Sequence, residues 1–334
     1  MQHSLPSSNV DMREYFKPRL QLITGKGGVG RTTVAIALAQ AFVEQGLKVL
    51  LLEVRDADSE LHHDPEQSQR AQDSMLGRSL SQSLGQDQVF ALGEIPLMIS
   101  PKLWAAQLIA EEGHRGFLRS IIPSDRLVKA ALESKALSRF LRSAPSMHEL
   151  GIFYHLKYFD ECTEYDKIVI DMPATGHTLA LSQLPDRIAN IIKKGQIVDA
   201  LRSGMQRITD PKSASMWIVT LAEKLPLSEA QEVSEALLKD DIQAAGVICN
   251  RGLKRTLTDD EQALLQHILT DTPNITDASL DSAHVRELLL SALHHVHQEP
   301  EIKALLNSFP RLLDLPELSK ATDRAQFAFN HWLK

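Results

Sequence analysis

The stretch "LQLITGKGGVGRTT", residues 20–33, limits what this chain can fold into more than any other. "RLQLIT" reads as a buried strand and runs directly into a glycine cluster. The cluster opens into "TTVAIALAQAFVEQG", where Val34, Ala37, Leu38 and Phe42 recur at helical spacing and Gly46 is the stop signal. A strand, a glycine turn and a helix in that order aim backbone N–H groups at one point, where the helix dipole also favours negative charge. Two patterns fit. Gly25, Gly27 and Gly30 satisfy G-x-G-x-x-G, the dinucleotide fingerprint. The same run up to Thr32 nearly satisfies G-x-x-x-x-G-K-[ST], the phosphate loop, with Arg31 standing where lysine belongs.

The rest of the chain alternates strand and helix. "KVLLLEV" is a continuous apolar run of strand length, as a parallel strand covered on both faces requires. "QVFALGEI", "YDKIVIDMP", "SASMWIVTL" and "QAAGVICN" read as further strands, with a helix around "SEAQEVSEALLKD". From Pro101 to Phe159 the apolar spacing is helical throughout, with no clear strand. The pattern predicts an α/β fold, a parallel sheet flanked by helices with right-handed crossovers and an inserted helical subdomain. Residues 1–18 are expected to be a loose leader. Residues 19–334 then form a single domain, with the helical insertion at about 95–160.

Composition narrows the partners. A net charge of -7 argues against nucleic acid, whose phosphates call for concentrated Lys and Arg. "MQHSLPSSNVDMREYFKPR" has no apolar core of a secretory signal. No run approaches the ~18 apolar residues of a membrane span. Cys162 and Cys249 form no C-x-x-C pair, so a structural zinc site is not expected. These features predict a cytoplasmic protein whose membrane contact is at most peripheral. The C-terminal "LSKATDRAQFAFNHWLK" aligns Leu318, Ala321, Ala325, Phe329 and Trp332 along one stripe. With few basic residues, that stripe is expected to dock on the chain's own core.

Glu53, about twenty residues after the glycines, favours a dinucleotide ribose. Against it, Thr32 and Thr33 place hydroxyls at a helix N-terminus, where Mg²⁺ and phosphate oxygens need them, and Lys26 adds a cation to the loop. "YDKIVIDMPATGHT" then sets Asp171 at the end of an apolar strand, before a Pro/Gly loop. An acid there can hold Mg²⁺ through water while the loop senses a γ-phosphate. With the glycine loop upstream, these residues select the phosphate loop.

"GKGGVGRTT" resembles the deviant phosphate loop of the septum-site ATPase MinD, the partition ATPases and the nitrogenase iron protein. "DMPATGHTLALSQLP", residues 171–185, is similar to the D-x-A-P-T-G-H-T-L-R-L-L-x-L-P stretch of the arsenite-pump (ArsA) ATPase family, which includes the targeting factor for tail-anchored membrane proteins. "MWIVTLAEKLPLSEAQE" resembles that family's next strand and its Glu-containing helix, and "GVICNR" the strand that ends in its adenine-recognising Asn, here Asn250. The resemblance covers about residues 18–334. It implies a P-loop ATPase of the SIMIBI type that takes ATP and Mg²⁺ on Gly25, Gly27, Gly28, Val29, Gly30, Arg31, Thr32, Thr33, Asp171 and Asn250. It also implies a nucleotide-driven homodimer, or a heterodimer with a related ATPase, acting on a protein client. Lys26 is then the signature lysine that reaches the partner's nucleotide.

Three departures stand out. Arg31 replaces the loop lysine with a planar, bulkier cation, which predicts weakened hydrolysis. The first switch reads "EVRDADSE", with Arg55 at the position of the family's catalytic Asp and Asp56 one residue on as the candidate acid. The cysteines of the pump's metalloid site and of the targeting factor's zinc are missing.

Overall fold

Leu20–Gly25 (β1) is buried along its whole length, as only an inner strand covered on both faces can be. The computed structural model describes residues 11–55, 74–143, 146–173, 206–252, 300–318 and 320–334, with residues 260, 263, 264 and 267. Beside β1 lie Val49–Val54 (β2), Leu97–Ser100 (β3), Leu103–Leu108 (β4), Lys167–Asp171 (β5), Ala214–Leu221 (β6), Gly246–Arg251 (β7) and Leu312–Pro316 (β8). Their spatial order is β3-β4-β2-β5-β1-β6-β7-β8. All neighbours pair in parallel except β3 with β4. From β1 the chain moves outward to β2 on one side, and only later crosses to β6 on the other. That reversal opens a crevice at the carboxyl ends of the strands.

The helices around the sheet include Arg31–Glu44 (α1), Met75–Ser83 (α2), Ala110–Ile121 (α3), Asp125–Glu133 (α4), Lys135–Ser143 (α5), Met147–Glu161 (α6), Lys224–Lys239 (α7) and Ala321–Ala328 (α8). Successive strand side chains feed opposite faces. Ile23, Leu51 and Trp217 pack with Leu38, Phe42 and Trp332 on the α1 side. Leu22, Leu50, Ile170 and Ile218 pack with Leu227 and Leu237 on the α7 side. Helices α3 to α6 share a smaller core of their own, centred on Phe117, Leu118, Leu150 and Phe153.

The helical reading of residues 101–159 is corrected at β4, which lies parallel to β2. "LWAAQL" shows no alternation because both of its faces are largely covered, and Trp104 and Leu108 fall by chance at helical spacing. Helices begin only at Ala110. The strand expected in "QVFALGEI" is not formed there, and the edge strand β3 starts two residues beyond it.

Within the segment expected to be a loose leader, Met12–Phe16 form a 3-10 helix capped by Asp11. Phe16 stacks on Trp217 at 4.4 Å between ring centres and faces Trp332 at 6.1 Å. The Lys167 amine donates to the carbonyls of Phe16, Lys17 and Pro18 at 2.7, 2.5 and 2.9 Å. Burial pushes its pKa down to about 8. The C-terminal stripe docks on the chain's own core. Ala321, Ala325 and Ala328 are buried, and a π-helical turn, Phe329–Leu333, returns Trp332 to the core.

Candidate functional site

The glycine loop keeps its shape because two of its glycines stand where no side chain fits. Gly30 is the cap residue of α1 with φ +87°, and a Cβ there would lie 2.1 Å from Asn250 Nδ2. A Cβ on Gly25 would lie 2.5 Å from the Val219 carbonyl oxygen. Gly27 and Gly28 have no such neighbour, and their Cβ positions face open space. Val29 is buried, and the Asn250 amide donates to its carbonyl at 2.9 Å, bracing the loop from β7. The loop therefore leads from the carboxyl end of β1 straight into the N-terminus of α1, where the first N–H groups of a helix lack intrahelical acceptors.

Asp171 ends β5 in register with Ile23 of β1 and with Glu53 of β2. Its Oδ2 accepts from the Thr32 hydroxyl at 2.6 Å. Burial raises its pKa to about 6; the Thr32 bond and the Arg31 charge pull it down, and Glu53 pushes it further up. A buried carboxylate facing a hydroxyl is an all-oxygen pair of the type Mg²⁺ takes, and a cation there would compensate the charge that burial disfavours. Arg31 directs Nη1 to the Met172 carbonyl at 2.7 Å, tying the start of α1 to the first residue after β5. Lys26 at the loop's tip faces Glu229 of α7, N to O 3.6 Å, with both side chains partly exposed.

The fold thus gathers Gly25, Lys26, Val29, Gly30, Arg31, Thr32, Thr33, Asp171 and Asn250 at one end of the sheet. Asp56 lies outside the described residues. Arg55, one residue past β2, has its backbone N–H bonded to the Leu108 carbonyl at 3.0 Å. The sequence reading did not pair Lys26 with Glu229, and it gave Glu53 a ribose to hold rather than a helix. Glu229 is the carboxylate of the Glu-containing helix, but nothing in its spacing announces Lys26. Glu53 is at the site, yet its carboxylate accepts from Ser74, Leu76 and Gln107, the work of a helix anchor.

A mostly parallel sheet, a glycine loop entering α1 and an acid at the end of the adjacent strand define a P-loop NTPase. A family model described as "Anion-transporting ATPase" matches residues 18–204 and 195–271. The chain belongs to this ArsA family of ATPases. ATPase BagA of Mycobacterium tuberculosis is 24% identical over 328 residues, covering 91% of this chain and 89% of its own. ATPase GET3C of Arabidopsis thaliana is 23% identical over 300 residues, 75% of this chain and 70% of its own. The arsenical pump-driving ATPase of Escherichia coli is 24% identical over 340 residues, 92% of this chain but 54% of its own.

Proposed function

We propose that the chain binds ATP with Mg²⁺ between Gly25–Thr33, Asp171 and Asn250, and hydrolyses it to open and close a dimer that acts on a protein client. The observation that carries this reading is the 2.6 Å contact of Thr32 with Asp171 beside the glycine loop. The loop's N–H groups and Arg31 hold the phosphates. Thr32 and Asp171 hold Mg²⁺, which neutralises charge on the phosphate oxygens. Asp56 orients the attacking water, and Asn250 recognises adenine. Cytoplasmic residence and at most peripheral membrane contact fit a chain in which no described helix is long and apolar enough to cross a membrane.

A second reading, a nucleotide-gated scaffold with little hydrolysis, is favoured by Arg31 in the loop and by Arg55 at the switch. Arg31→Lys separates the two. Under the first reading turnover rises several-fold, with ATP affinity changed by about twofold at most, because an ammonium fits the phosphate cradle more tightly. Single-turnover hydrolysis beside calorimetry measures both, and a fall in turnover makes the arginine a tuned part of the site. A dinucleotide oxidoreductase fits least, since the carboxylate it would turn to a ribose already accepts three hydrogen bonds.

Dimer closure is tested at Lys26. On this proposal Lys26 leaves Glu229 and bridges to the partner's phosphates. Lys26→Ala then keeps the monomer folded, weakens ATP-dependent association about tenfold or more, and removes most hydrolysis. Light scattering with a slowly hydrolysed ATP analogue reads association directly. A wild-type chain that stays monomeric with saturating nucleotide rules out the homodimer and directs the search to a related, separately encoded subunit.

A further inference from the structure

Glu53 lies beside Asp171, yet its carboxylate serves helix α2. Oε1 accepts from the Leu76 N–H at 3.0 Å; Oε2 accepts from the Ser74 hydroxyl at 2.5 Å and from the Gln107 amide at 3.0 Å. Ser74 caps the same helix, accepting from the Gly77 N–H at 2.7 Å. A helix of nine residues has little stability of its own, and a carboxylate on its first N–H groups fixes where it starts. Leu76 and Leu80 of α2 pack into the core on the α1 side. Ser79, Gln82 and Ser83 of α2 line a cavity of about 500 Å³ that Thr33 of α1 and Arg324 of α8 also line. That volume suits a small molecule, and Thr33 on its lining is the chain neighbour of Thr32.

We propose that Glu53 is a positioning residue. It holds α2 in place as one wall of the nucleotide site, and the hydroxyl and amide groups of that wall take the sugar side of the ligand. The inference rests on the ATP reading above: phosphates seated on the glycine loop leave only the nucleoside to extend past Thr33. It gives the carboxylate a task distinct from metal binding, and it assigns α2 a share of nucleotide affinity but none of the phosphate chemistry.

Two variants and two ligands test it. Glu53→Gln presents an amide that cannot accept from three donors at once. Ser74→Ala removes the cap and one of those donors while leaving the Glu53 charge beside Asp171. Calorimetry compares ATP·Mg²⁺ with tripolyphosphate·Mg²⁺, which reaches the loop but has no nucleoside. Both variants are expected to bind ATP about tenfold more weakly and tripolyphosphate within about twofold of wild type. An equal loss on both ligands overturns the inference, because Glu53 then acts on the metal or on the fold at large. So does a Ser74→Ala variant that binds like wild type, or a wild-type chain that binds ATP but not tripolyphosphate. A wild-type chain that binds neither ligand refutes the ATP reading itself, and this inference with it.

Discussion

Thr32→Ala is expected to weaken Mg²⁺-dependent ATP binding by about 100-fold while leaving binding without the metal nearly unchanged. The hydroxyl is one of two oxygens that face each other at the start of α1, 2.6 Å from the Asp171 carboxylate. Its removal would take one oxygen from the proposed cation and also takes one hydrogen bond from a carboxylate that burial already drives toward its neutral form. Both effects work against a divalent ion, and neither touches the backbone N–H groups proposed to hold phosphate. Thr32→Ser keeps the hydroxyl and is expected to bind within a few-fold of wild type. Calorimetry with ATP in Mg²⁺ and in EDTA measures the difference. If Thr32→Ala binds ATP·Mg²⁺ as tightly as the wild type, the metal is not held here.

Much of this site was legible in the sequence because its parts obey local rules. A glycine at a left-handed cap, a hydroxyl at a helix start and an acid ending an apolar strand each leave a mark within a few residues. What stayed hidden depends on neighbours distant in sequence. The chain brings Glu229 to Lys26 across 203 positions (229 − 26), and Glu53 to Leu76 across 23. The same limit explains β4. Its six residues are a strand because β2 and β3 pair with them on either side, and no local signal separates them from a helix that happens to be rich in alanine. Arg31 is intermediate. Its position in the loop was plain, but its grip on the Met172 carbonyl exists only once β5 lies beside β1.

The largest stability effect is expected far from the glycine loop, where α3 crosses α6. A Cβ on Gly113 would lie 1.6 Å from the Gly151 carbonyl oxygen, and a Cβ on Gly151 would lie 2.3 Å from the Ala110 carbonyl oxygen. Those neighbours are backbone, so no rotamer change relieves the clash. The helices must separate, by roughly the 2 Å that restores ordinary contact. Separation strains the contacts that seat the pair: His114 Nε2 to the Met147 carbonyl at 2.6 Å, and the Ile109 N–H to His155 Nδ1 at 2.9 Å. It also opens the small core of Phe117, Leu118, Leu150 and Phe153. Gly113→Ala is therefore expected to cost about 3 kcal/mol, even though alanine favours a helix over glycine by about 1 kcal/mol. Gly116→Ala on the same helix is the control, because its Cβ would meet nothing within 4 Å and only the propensity gain remains. Urea unfolding of the two variants should give shifts of opposite sign. Equal shifts would mean that α3 and α6 do not cross backbone against backbone. Because α6 leads into β5, the strand that ends at Asp171, Gly113→Ala should also weaken ATP·Mg²⁺ binding at concentrations of urea that leave Gly116→Ala unaffected.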